Sequence, residues 1–78
     1  MEVLVHATWD AEASVWVAQS DDVPGLITES PTIEDLIVKL KLLIPELLEA
    51  NGVLPQGAED VSFQLMASRQ ERTRASAA

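Results

Sequence analysis

The sequence contains no cysteine, so no disulfide can staple the fold and no thiolate can ligate a metal. Its absence fits a reducing compartment. There is a single histidine, His6, so a Cys/His metal cluster is excluded and a structural role is expected for that side chain. Cations are scarce. Lys39 and Lys41 are the only ones before the last ten residues, where Arg69, Arg72 and Arg74 face Glu71 alone. A body so acidic repels phosphate, whereas a nucleic-acid binder needs clustered cations, so direct nucleic-acid binding is not expected. No apolar run is long enough to span a membrane and the N-terminus has no signal-peptide layout, so a cytoplasmic protein is expected. No Gly-rich phosphate loop, nucleophile elbow or metalloprotease helix occurs. Asp21 and Asp22 could hold a hard cation only with further oxygen ligands, and a solvated turn is the better reading. The expectation is a protein with no catalytic residue, no cofactor and no metal.

What the chain does have is one strong helical pattern. Ile33, Leu36, Ile37, Leu40, Leu43, Ile44, Leu47 and Leu48 recur at spacings that place them in one apolar stripe. The spacing predicts a helix over 33–49. Pro45 lies inside it, where it removes one donor and crowds the Lys41 carbonyl, so one kinked helix is expected rather than two. Thr32, with Asp35 three residues on, suits a capping-box-like start; Ser30 as cap with Pro31 at the first helical position is equally legal. Asn51-Gly52 suits the end.

The rest reads as strands. Glu2 to Asp10 alternates, with Val3, Val5, Ala7 and Trp9 on one face and Leu4, His6 and Thr8 on the other. A second run over 14–20 places Val15 and Val17 opposite Trp16 and Ala18, and residues 10–13 suit a hairpin loop. Asp21 to Gly25 carries Pro and Gly where a type II turn needs them. A short strand over 26–29 follows, and after the helix a loop over 53–59 leads to a last strand over 60–68, with Val61, Phe63, Leu65 and Ala67 inward. The order is β-β-β-α-β. A meander followed by a right-handed crossover predicts an α+β fold with sheet order 3-2-1-4 and one helix on one sheet face. Residues 1–68 form the domain; residues 69–78 are a basic tail expected to fray.

Two surfaces are left for contacts. Both faces of the hairpin carry apolar residues, so the face away from the helix, with Trp16 or Trp9 depending on register, needs a cover. On the helix, Val38 and Leu42 point away from the core stripe, with Pro45 near them and Glu34, Asp35, Glu46 and Glu49 around them. The plain reading is scattered surface apolars and an indole lying flat on a half-exposed sheet. The sharper one is a docking patch with an acidic rim that attracts a basic partner. Trp16, Val38, Leu42 and Glu46 are the candidate partner-binding residues. At 78 residues the domain is small, so pairing into a homo-oligomer is also expected.

The ordered set Trp9-Asp10, Val15-Trp16-Val17-Ala18, Ser20-Asp21-Asp22-Val23-Pro24-Gly25-Leu26, Thr28-Glu29 and Thr32-Ile33-Glu34-Asp35-Leu36 resembles the HicB-like antitoxin superfamily. It is most similar to the short, stand-alone branch of uncharacterised proteins there. Ile44-Pro45-Glu46-Leu47-Leu48 and Asn51-Gly52 also fit that branch, and the likeness covers residues 2–68. The resemblance implies a partial RNase H-like fold without nuclease activity. Consistent with this, the middle of the first strand, Val3 to Thr8, offers none of the carboxylates that a metal-dependent nuclease brings together. It further implies an antitoxin-like module that neutralises a small basic HicA-type mRNA interferase. Many such proteins repress their own operon through an added DNA-binding segment. Only ten residues follow Ser68, so autorepression by this chain alone is not expected. Pro31 stands where the family often has a polar residue, which changes the cap. The competing reading is an orphan structural or ligand-binding homo-oligomer with no toxin partner.

Overall fold

The computed structural model describes residues 1–54, 57 and 60–76. Four strands and one helix follow in the order β1 (Glu2–Asp10), β2 (Val15–Gln19), β3 (Ile27–Ser30), α1 (Ile33–Ala50) and β4 (Ser62–Ser68). The sheet order is β3-β2-β1-β4, antiparallel except for the parallel β1–β4 pair. This is the α+β layout that the element pattern predicts. Pro55, at the centre of the expected 53–59 loop, lies outside the described residues.

Helix α1 covers one face of the sheet with Leu36, Leu40, Ile44 and Leu48, all fully buried and four residues apart. Ile33, Ile37, Leu43 and Leu47 flank that ridge half-buried. The sheet answers with Val3, Val5, Ala7 and Ala18, and Val23 and Leu26 close the core from the turn before β3. The helix runs unbroken through Pro45, which faces solvent and whose missing N–H leaves the Lys41 carbonyl without its helical donor. Thr32 is the N-cap, its Oγ1 accepting the Asp35 N–H at 3.1 Å, while Ser30 is instead buried at the end of β3.

The C-terminus of α1 ends in a Schellman motif. Gly52, at φ 69°, donates its N–H to the Glu49 carbonyl, and the Val53 N–H reaches back to the Leu48 carbonyl at 3.0 Å. Asn51 adds a tertiary tie: its Nδ2 donates both to the Leu47 carbonyl at 2.8 Å and to the Pro24 carbonyl at 3.1 Å. The helix end is thereby fastened to the turn that enters β3.

The strand register decides what the alternation leaves open. Val3 and Val5 do not share a face with Val15 and Val17. The β1–β2 pairs are Asp10 with Val15, Trp9 with Trp16 and Ala7 with Ala18, so odd residues of β1 stand beside even residues of β2. Both indoles therefore lie on the helix side, edge to face at 5.4 Å between ring centroids. The loop fixes this register. The Asp10 carboxylate accepts the N–H groups of Glu12 and Ala13, and Ser14 turns the chain back at φ 56°.

Candidate functional site

The turn that carries the most distinctive sequence motif is built as architecture. β2 stops at Gln19, opposite His6, while β1 runs on toward Glu2. The backbone of Leu4 is left without a strand neighbour there, and side chains replace one. Asp22 Oδ2 accepts the Leu4 N–H at 2.8 Å, and Ser20 Oγ donates to the Leu4 carbonyl while accepting the Asp22 N–H. Val23 and Leu26 then plug the core, joined by a Leu26 N–H to Val23 carbonyl bond of 3.1 Å across Pro24 and Gly25, the latter at φ 82°. This is a type II turn, as the sequence predicts. Asp21 and Asp22 both stay exposed in the turn, and Asp22 is in addition a bonded extension of the strand.

The helix-free side of the sheet presents Leu4, His6, Thr8, Val15, Val17, Gln19, Ile27, Glu29, Gln64 and Met66. One row crosses all four strands as Ile27, Gln19, His6 and Met66. Ile27 is 71 % exposed at one edge of that row, and Met66 is exposed at the other. His6 lies exposed in the middle, with no carboxylate in its row. Glu2, Glu29 and Asp10 stand on this side, and no lysine or arginine projects from the four strands here. Trp16, expected as a contact on an uncovered face, is instead half-buried on the helix side against the core. Ile27 and Met66 are what sequence reading missed. The signal was present in the hairpin: a four-residue loop after Asp10 sets the odd-to-even pairing and puts Val15 and Val17, not Trp16, beside Asp10 and Thr8 on the helix-free face.

The outer face of α1 is as its periodicity predicts. Val38 is 60 % and Leu42 69 % exposed, and Pro45 continues the same stripe. Glu34 and Asp35 bound it at the N-terminal end, Glu46 and Glu49 at the C-terminal end, and all four are exposed. The acids at the N-terminal end also favour the helix dipole, while the last turn carries no basic residue to complement it. Val38, Leu42 and Glu46 are thus brought together on one side of the molecule, and Trp16 is not among them.

Between α1 and β4 lies a cleft of about 170 Å³, lined by Leu40, Ile44, Pro45, Leu54, Val61 and Phe63, with Lys41 and Asp60 bringing opposite charges to it. The helix backbone approaches β3 and β2 more closely than β4, so Phe63 and Leu65 stay half-buried. Among the described residues, no three His, Asp or Glu side chains come together as a metal ion requires, and no helix is long and apolar enough to cross a membrane.

No curated protein matches this sequence. Among solved structures it is similar to a hypothetical protein from the extremely thermophilic bacterium Thermus thermophilus. The two are 49 % identical with a TM-score of 0.79, over 94 % of this chain and all of that one. Residues 2–77 match a family described as a domain of unknown function, DUF1902, and by that match across nearly its whole length the chain belongs to the DUF1902 family.

Proposed function

We propose that this chain is a non-enzymatic protein-binding module of the HicB-like antitoxin type, whose partner is a small basic protein such as a HicA-type mRNA interferase. The observation that carries this reading is the outer stripe of α1. Val38, Leu42 and Pro45 form an exposed apolar strip with Glu34, Asp35, Glu46 and Glu49 at its ends. Exposed apolar surface rimmed by charge of one sign suits a partner carrying the opposite sign: the strip contributes burial, and the acids steer the encounter. The rest of the body adds to the field. Residues 1–68 hold twelve carboxylates against two lysines, a net charge of −10. The order of strands and helix and the run Ser20 to Leu26 support the family reading. The carboxylate-free middle of β1 supports the absence of nuclease chemistry. The helix-free sheet face, acidic and partly apolar, is a second surface of the same character.

The test is co-expression with a small basic HicA-type interferase encoded beside this chain's own gene. Neutralisation appears as restored growth and as a complex that survives two purification steps. Leu42→Glu combined with Glu46→Lys is expected to weaken binding at least about tenfold, because it removes the apolar centre and reverses a rim charge. Ile27→Gln, on the opposite side, is expected to leave binding unchanged. Toxicity unrelieved by the intact chain, with no complex, overturns the proposal. Loss of binding with Ile27→Gln alone moves the contact to the sheet.

A further inference from the structure

The two edges of the sheet are not equivalent. At the β3 edge the strand has four residues, one of them Glu29, and is followed at once by Pro31. Lys39 reaches over from α1 and donates its Nζ to the Glu29 carbonyl. Short length, charge and an occupied acceptor are the usual protections of an edge. Among the described residues, the β4 edge has none of them. Its seven residues, Ser-Phe-Gln-Leu-Met-Ala-Ser, contain no charge and no proline.

The direction of the free backbone groups on β4 follows from the parallel ladder. The Ser62 N–H bonds the Met1 carbonyl at 2.9 Å, with Glu2 opposite Ser62, so Ser62, Gln64 and Met66 turn their backbone groups toward β1. Alternation then turns the N–H and C=O of Phe63, Leu65 and Ala67 outward. On the same residues the side chains lie on the helix side, where Phe63 and Leu65 are half-buried and Ala67 is exposed.

We propose that this edge binds a second copy of the same chain, β4 against β4 in antiparallel pairing about a twofold axis at Leu65. The edge is its own complement. With the axis at Leu65, Leu65 meets Leu65 of the second copy, and the large Phe63 meets the small Ala67, each as a hydrogen-bonded pair of outward-facing residues. The half-buried Phe63 and Leu65 gain cover, and two four-stranded sheets become one of eight strands. The C-terminal arm fits the same arrangement. The molecule measures 63 × 20 × 19 Å, whereas an 18-residue helix is only about 27 Å long, so residues 69–76 project well beyond the body. In the pair, each arm runs past Val61 and Asp60 of the other copy, at the mouth of the cleft beside α1. Three arginines and one glutamate give the arm, residues 69–78, a net charge of +2, and it meets a body of −10. This pairing stands apart from the reading of the outer helix stripe, which it leaves uncovered.

Cysteine pairs test the register, and the absence of any native cysteine makes the result clean. Gln64 and Met66 sum to the same register as Phe63 and Ala67. They form the non-hydrogen-bonded pair whose Cα atoms stand about 4.5 Å apart, close enough for a disulfide. A mixture of Gln64→Cys and Met66→Cys chains is expected to give a cross-linked dimer under mild oxidation, and each variant alone is expected to give little. Ala67→Pro removes an outward N–H that β1 does not use. It is expected to raise the dimer dissociation constant by about tenfold or more in sedimentation. Its circular dichroism melt is expected to remain that of a folded protein. An intact chain that sediments as a monomer at all micromolar concentrations overturns the proposal. So does a dimer without the mixed cross-link, including one held by the sheet face or the helix. Because the test uses the chain alone, its failure leaves the basic-partner reading untouched.

Discussion

Among the described residues, Ser30 carries a buried hydroxyl with no hydrogen-bond partner. It is 1 % exposed and stands beside Trp16 at the end of β3. A buried hydroxyl without a partner costs about 1–3 kcal/mol in lost hydration, while the methyl of alanine fills most of the same space at no such cost. Ser30→Ala is therefore expected to hold or raise the melting temperature, by up to several degrees at about 4–8 °C per kcal/mol for a domain of this size. A fall of several degrees in a thermal melt means the hydroxyl has a bonded role in the folded protein. Asp22 makes the contrasting case. It is equally a small polar side chain in a turn, but its carboxylate replaces a missing strand for the Leu4 N–H, so its role is fixed by geometry rather than by exposure.

At the level of elements, the helix and the strands were legible because their apolar residues repeat at the right period. Leu36, Leu40, Ile44 and Leu48 face the core as the 33–49 pattern predicts, and the α1 end falls at Asn51-Gly52. The faces of the hairpin were not legible in the same way. Periodicity alone says that Trp16 and Val17 oppose each other; it does not say which of them joins Val3. That depends on the loop, where the Asp10 carboxylate and a left-handed Ser14 set the count. The candidate site divided accordingly. Val38, Leu42 and Glu46 lie where one helix's own period puts them, and Trp16, whose side depends on a neighbour strand, does not. Nothing local announced the contact between the helix end and the Pro24 turn either, since it joins residues 27 positions apart. That contact makes a second prediction. Asn51→Ala loses both side-chain bonds, one of them tertiary, and Gly52→Ala places a Cβ on a residue at φ 69° although space is open around it. Each is expected to cost roughly 1–2 kcal/mol in urea unfolding. The pair is expected to be less than additive, because both act on the same turn of α1. Full additivity would mean that the cap and the turn tie are independent.

At the scale of the molecule, charge is divided along the long axis. The body carries −10 and the arm +2. Arg69 is held, its guanidinium 4.1 Å from the centroid of the Trp9 ring and its Nε bonded to Glu71 at 2.6 Å. Beyond it, Arg72 and Arg74 are exposed. Removing residues 69–78 therefore has two separable consequences. Within one copy it deletes an exposed cation–π contact worth about 0.5–1 kcal/mol, so the unfolding transition is expected to move by only a few degrees. Between two copies it deletes the cations that offset the repulsion of two acidic bodies. Salt screens that repulsion, the Debye length falling from about 10 Å at 0.1 M to about 3 Å at 1 M. The truncated chain's dimer is accordingly expected to tighten more between those salt concentrations than the full chain's dimer, where screening also weakens the attraction of arm to body. Sedimentation velocity on both forms at the two concentrations measures this difference. Equal salt dependence in the two forms would place the arms away from the partner's body. A steeper tightening in the truncated form identifies the arm as a bridge between copies, whose arginines act on the neighbour's carboxylates rather than on their own.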